Sequence, residues 1–250
     1  MSKVIRILLA IAAIAALTLA FATVYYGNEV RVARRATPAL VEAALVRYGS
    51  PLSLADLSVE RRAMLLAVED PTFAYHRGVD LATPGAGMTT IAQGLVKLLY
   101  FPEGFHQGIA KIRQTLIAQY ALDSLVSKDR QLFLFLNICY LGDENGKAVH
   151  GYASGARVYF GKDFAMLTDE EFLALVAMHI APNNLKPGTT ANFERLRRIH
   201  AYLAGEYNPA GLLDVEYNGK QRGTLAEEAL IAFLRLITDA SPSKDNRSST

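Results

Sequence analysis

Glu69 and Asp70 are the residues of this 250-residue chain whose placement most invites chemistry. They sit in the run Ala67-Val68-Glu69-Asp70-Pro71-Thr72-Phe73-Ala74-Tyr75-His76-Arg77-Gly78-Val79-Asp80. Met64, Leu65 and Val68 keep a helical spacing up to the pair, and Pro71 then ends the helix, because the residue before a proline is driven out of the α region. Both carboxylates therefore fall at a helix C-terminus, where the macrodipole disfavours negative charge. A carboxylate held against the local field is a candidate for a raised pKa and for work as a general base. A solvated acidic turn is the plainer alternative, and the pair alone does not decide between them.

Two later stretches carry groups suited to an anion. In Gly85-Ala-Gly-Met-Thr89-Thr90-Ile91-Ala92-Gln93-Gly94-Leu95-Val96-Lys97, glycines lead into a helix expected to start near Met88. Free N–H groups and the dipole at such a start attract phosphate. Thr89, Gln93 and Lys97 recur every four residues on one face, opposite Ile91, Leu95 and Leu98. In Lys111-Ile-Arg113-Gln-Thr115-Leu-Ile-Ala-Gln119-Tyr-Ala-Leu-Asp123, the polar row Lys111, Thr115, Gln119, Asp123 runs opposite Ile112, Leu116, Ile117 and Tyr120. An amphipathic helix with a solvated side is the alternative for each stretch.

Read together and in order, the segments carry a resemblance. Glu-Asp-x-x-Phe-x-x-His-x-Gly resembles the first signature of the peptidoglycan glycosyltransferases, the lysozyme-like family that polymerises the cell-wall precursor lipid II. The glycine–threonine stretch is similar to that family's Gly-Gly-Ser-Thr-Ile-Thr-Gln-Gln-x-x-Lys-Asn, with Met88, Thr89, Ala92, Gly94 and Leu98 as departures. The Lys111–Asp123 stretch keeps the register of a third, with most of its key positions changed. Ser127-Lys128-Asp129 through Asn137, Tyr140 and Gly142 resembles the fourth, and Thr168–Pro187 the fifth. The resemblance covers about residues 63–187 and implies a monofunctional, divergent member.

It implies roles as well. Glu69 would be the general base, and Asp123 the second catalytic acid, with room for a divalent cation, magnesium or manganese, beside it. Asp70, His76, Thr89, Thr90, Gln93, Lys97, Lys111 and Arg113 would bind substrate and its diphosphate. The partners implied are lipid II, the growing glycan strand, the membrane and other cell-wall synthesis proteins. The location implied is a bacterial inner membrane, with the catalytic part facing outward into the periplasm. Two other functions stay open: a non-catalytic relative that binds lipid II or wall enzymes as a scaffold, and a lysozyme-like glycan hydrolase. Lys97 beside the glycine–threonine helix start speaks against the hydrolase, which has no diphosphate to hold.

The positioning elements can be read from the rest. A formal charge of +2 gives no strong reason for nucleic acid as a partner, and the five histidines show no zinc-binding spacing. Cys139 is the single cysteine, so no disulfide forms within the chain. After residues 1–6, which the resemblance implies are cytoplasmic, comes Ile7 to Tyr26, free of charged residues, whose rise of about 30 Å matches a hydrocarbon core. It reads as an uncleaved anchor, with a signal peptide cleaved near Ala20-Phe21-Ala22 as the alternative. Residues 27–57 are expected to be a connector with one short helix from Pro38 to Val46, and 58–190 the glycosyltransferase domain. Residues 191–238 are expected to be a helical extension with a hairpin at Asn218-Gly219 and a solvated Arg195, Arg197, Arg198 face, and 239–250 a disordered tail. The loop from Leu98 to Phe105 is apolar enough to meet the bilayer interface or to pack in a core, and Asn137 is expected to be a hydrogen-bonded core amide. The fold class expected is mainly α: a lysozyme-like helical domain on a single N-terminal transmembrane helix.

Overall fold

The computed structural model describes residues 2–106 and 108–240. Helix α1, Lys3–Tyr48, is one unbroken rod of 46 residues. Its first eighteen residues are all exposed, and it is the one described helix long and apolar enough to cross a membrane. Its second half joins the domain core through Ala33, Thr37, Val41 and Ala44, a buried stripe at helical spacing. This corrects the expected connector. Pro38 costs the helix a hydrogen bond, but the helix continues through it, and Thr37 Oγ1 ties it to Tyr100 Oη at 2.7 Å. The helix stops at Gly49, whose φ of +78° suits glycine.

Helix α2, Val59–Glu69, starts on a Ser58 cap that accepts from the Arg61 amide and ends just before Asp70 and Pro71. Helix α3 spans Ile91–Tyr100. Helix α4, Ala110–Ile117, runs on through a π-helical turn, Ala118–Leu122, into Asp123–Leu125. Helix α5, Lys128–Ile138, is the centre of the core: every residue but one from Gln131 to Ile138 is buried, and it packs on α1 and α3. Asn137 there bridges to the Leu52 backbone in both directions, donating at 2.9 Å and accepting at 3.0 Å.

A two-stranded antiparallel hairpin follows, β1 Tyr140–Glu144 and β2 Lys147–His150, with Glu144 opposite Lys147. Asn145 and Gly146 turn it with φ of +52° and +75°, the left-handed pair that a two-residue hairpin requires. Helices α6, Tyr152–Phe160, α7, Asp169–Ala177, α8, Thr190–Leu203, and α9, Leu225–Ile237, complete the chain. Capping boxes at Thr168/Glu171 and Thr224/Glu227 fix the starts of α7 and α9. The molecule is mainly α.

The extension differs from expectation in three ways. No hairpin forms at Asn218-Gly219; instead the buried Asp214 carboxylate gathers the Ala210, Asn218 and Gly219 amides at 2.9 to 3.1 Å into a closed loop. Arg195 is not solvated but 1% exposed, its guanidinium 4.6 Å from the centroid of the Tyr217 ring. Asp239 and Ala240 are docked: the Gln119 side chain spans the Asp239 backbone, and the Ala240 carbonyl accepts from the Leu81 amide. Residues 241–250 of the expected tail lie outside the described residues.

Candidate active site

Where α2 ends, α3 begins and β1 and β2 close the far side, the domain carries a cleft of about 520 Å³. Glu69, the last residue of α2, lies in its floor with Phe135, Cys139 and His179. Thr89, Thr90 and Lys97 form one wall, continued by Phe101 and Phe105 of the loop after α3. Arg47, Tyr48, Tyr140 and His150 form the other. The apolar loop from Leu98 thus serves as cleft wall: Phe101 and Phe105 meet edge to face at 5.2 Å, and Lys97 Nζ lies 5.1 Å from the Phe105 ring centroid.

Glu69 keeps some contact with cleft solvent, but the surrounding packing removes most of its hydration. Burial pushes its carboxyl up to about 8; the Arg195 guanidinium pulls the other way, and Asp70 adds to the rise. His179 is held neutral by the same loss of water, its pKa brought down to about 3, with Nε2 2.8 Å from Tyr152 Oη. Burial likewise pushes the Cys139 thiol up, so it is no nucleophile at neutral pH. Glu69 is the one carboxylate among the described residues lining the cleft.

Opposite it stands positive charge with no carboxylate partner among the described residues. Lys111 is buried, and its ammonium donates to Thr89 Oγ1 at 3.1 Å. Burial and then the nearby Lys97 charge bring Lys111 well below the usual lysine range, and burial lowers Lys97. Two desolvated ammonium groups side by side are unstable neighbours unless an anion joins them.

Of the residues singled out in the sequence, the cleft brings together Glu69, Thr89, Thr90 and Lys97, with Lys111 directly behind Thr89. The others lie elsewhere, and each position has a physical reason. Asp70 is 1% exposed; its carboxylate holds His76 Nε2 at 2.7 Å and the Ile91 amide at 2.9 Å, pinning the end of α2 to the start of α3. Gln93 is fully buried, closing a capping box with Thr90 and donating to Thr115 Oγ1. The start of α3, at Ile91 rather than Met88, is thus no open anion site, because Asp70, Gln93 and Thr90 already take the amides of Ile91, Thr90 and Gln93. Arg113 pairs with Glu29 of α1 at 2.5 Å.

Asp123 lies outside the cleft lining, its Oδ1 held by Lys128 Nζ at 2.6 Å and Gln131 Nε2 at 2.9 Å. A carboxylate neutralised in this way does not fit a divalent cation. Among the described residues no group of three or more His, Cys, Asp or Glu side chains could hold one. The sequence reading passed over His179, Cys139, Phe135, Tyr48 and His150. Their only sequence signal was aromatic and apolar content, which a core shares.

Fold and site together define a helical group-transfer domain, with one protonatable carboxylate and Lys97 lining a cleft and Lys111 held behind Thr89. The family model for transglycosylases matches residues 39–206, and the chain belongs to the transglycosylase family. Penicillin-binding protein 1B of Buchnera aphidicola subsp. Acyrthosiphon pisum is 32% identical over 147 residues, 54% of this chain and 19% of that protein. Penicillin-binding protein 1A of Neisseria cinerea is 32% identical over 155 residues, 57% of this chain and 18% of that protein. Penicillin-binding protein 1B of Vibrio cholerae is 31% identical over 147 residues, 54% of this chain and 19% of that protein. In each case the matched region is about a fifth of the relative's length.

Proposed function

We propose that the chain polymerises lipid II into glycan strands on the outer face of the cytoplasmic membrane, held there by α1. Glu69 removes the proton from the acceptor sugar hydroxyl as its oxygen bonds to the anomeric carbon of the lipid-linked donor. The anomeric carbon–oxygen bond to the diphosphate breaks on the opposite side, so the configuration inverts. Lys97 and the Lys111–Thr89 pair meet the charge gathering on the departing undecaprenyl diphosphate, in a site dry enough to make their charge count.

The observation that carries this reading is one cleft lined by a single carboxylate, raised in pKa by burial, and by Lys97, with Lys111 held behind Thr89 and neither lysine paired with a carboxylate among the described residues. A hydrolase working with two carboxylates about 5 to 10 Å apart across the sugar finds only Glu69 among the described lining residues. The test is turnover of lipid II by the purified full chain in detergent. Wild type should yield glycan strands, and Glu69→Gln none, while remaining folded by circular dichroism. Lys97→Met should lower turnover by about 2 to 4 kcal/mol of transition-state free energy. Strand synthesis by Glu69→Gln at the wild-type rate would remove Glu69 as the base, whereas lipid II binding by wild type with no strands formed would leave the scaffold reading in place of polymerisation.

A further inference from the structure

A second cavity, of about 530 Å³, lies beyond the active cleft and is almost wholly apolar. Its walls come from three elements: Leu19, Ala22, Tyr26 and Val30 of α1, Ile112 and Leu116 of α4, and Phe233 and Ile237 of α9. Thr23, also in the wall, bonds its hydroxyl back to the Leu19 carbonyl, so the lower part of the groove asks for no polar ligand. At its upper end stands Arg34, about 10 Å further along the helix axis than Gly27 at the helical rise. Arg31 and Arg35 are exposed at the same level.

The position of α9 is fixed by the rest of the fold. Arg235 donates to the Leu81 carbonyl at 2.9 Å, and Gln119 grips the Asp239 backbone from the π-helical turn after α4. On its open side α9 carries Ala229, Ala232, Phe233 and Leu236, a row at i, i+3, i+4, i+7, with Phe233 43% and Leu236 82% exposed. With Ile231 and Leu234 buried on the other side, its last two turns are apolar nearly all round, a pattern unsuited to water on either face. Leu19 and Ala22 belong to the membrane-spanning run, so side chains sharing a groove with them stand at the level of the hydrocarbon. What fills a groove there comes from the bilayer.

We propose that this groove seats one acyl chain of a membrane phospholipid, with its phosphate beside Arg34, and that α9 lies in the bilayer interface as a second membrane contact next to the anchor. The α9 wall lies outside residues 39–206, which the family model matches. It is independent of which sugar the cleft processes.

The chain has no tryptophan, so a single introduced one reports its own surroundings. The full chain carrying Phe233→Trp is placed in vesicles of phosphatidylethanolamine and phosphatidylglycerol with brominated acyl chains. Its fluorescence should be quenched as strongly as that of Phe21→Trp in the span, and several-fold more than that of Met166→Trp on the far surface. The quenching should not change with the protein-to-lipid ratio. Gly27 has no neighbour where its side chain would go, so adding Gly27→Leu to Phe233→Trp should fill the groove and weaken quenching at 233, leaving that of Phe21→Trp unchanged. Quenching at 233 no greater than at 166 would overturn the proposal, as would a Gly27→Leu change with no effect at 233. A blue shift at 233 that grows with protein density but ignores bromine would overturn it too, by assigning the groove to a second copy of the chain.

Discussion

Glu69 carries its proton at neutral pH in the folded chain, because burial raises its pKa from an ordinary 4.5 to about 8. A base must lose that proton before it can act, so the rate of strand synthesis should rise with pH through about 8 and then level off, measured as kcat/KM for lipid II against pH. The same shift governs stability. Between pH 4.5 and 8 the unfolded chain has released a proton that the folded chain retains, so the site's contribution is full below the lower value and is lost as pH rises through the upper one. Glu69→Gln removes this penalty. Denaturant unfolding at pH 8.5 (a chosen condition about half a unit above the folded-state value) should show the variant more stable by on the order of 2 kcal/mol, allowing for the solvent contact the side chain keeps, with little difference near pH 4. Asp123 belongs to a different class of acid. Its partners are Lys128 and Gln131 rather than the cleft, so Asp123→Asn should cost about 1 kcal/mol in unfolding free energy and leave lipid II turnover within a few-fold of wild type.

The helices owe their limits to local chemistry, and that chemistry could be read in advance. Ser58, Thr168 and Thr224 cap as their sequence context predicts, and Pro71 stops α2 with Glu69 at its end. What could not be read was which polar side chains point inward. Gln93 and Lys97 share a face by spacing, yet Gln93 is spent on the cap and a buried contact with Thr115, and only Lys97 reaches the cleft. Two Asn-Gly pairs show the same limit. The pair at 145–146 turns a hairpin because the residues on either side pair across it, Glu144 with Lys147 and Asp143 with Ala148. The pair at 218–219 is drawn instead into the cage around Asp214. Gly78 shows what an element can demand of a loop: its φ is +79°, and a Cβ there would stand 2.6 Å from the Ala118 carbonyl in the π-helical turn. Gly161 has φ of +64° with nothing within 4 Å, so Gly161→Ala should lose only the backbone preference, about 1 kcal/mol. Gly78→Ala should lose at least about 2 kcal/mol more, because the π-helical turn must move, and equilibrium unfolding of the two variants side by side measures the difference.

At the scale of the molecule, the apolar rod and the catalytic domain are one continuous structure, because the second half of α1 is already a core helix. The extension as far as Ala240 is equally integral, although the family match stops at residue 206. The Gly85 and Gly87 amides donate to the carbonyls of Gly211 and Leu212, and Val215 packs so close to Gly87 that a side chain there would collide with it. The glycine segment that brings Thr89 to the cleft is thus braced by the extension. Tyr217, Ile231, Leu234 and Ala240 of the extension are buried as well, and Tyr217 lies against the Arg195 that biases Glu69. Burial of the three larger side chains alone stabilises the fold by at least ~5 kcal/mol, which is comparable with the whole stability of a domain this size. A chain ending after Glu206 should therefore lose its cooperative thermal transition in detergent and its lipid II turnover together. Were the extension a mere appendage, both would survive the cut. Adding residues 207–240 back as a separate peptide would then change neither, whereas an integral extension should restore both in proportion to the peptide bound.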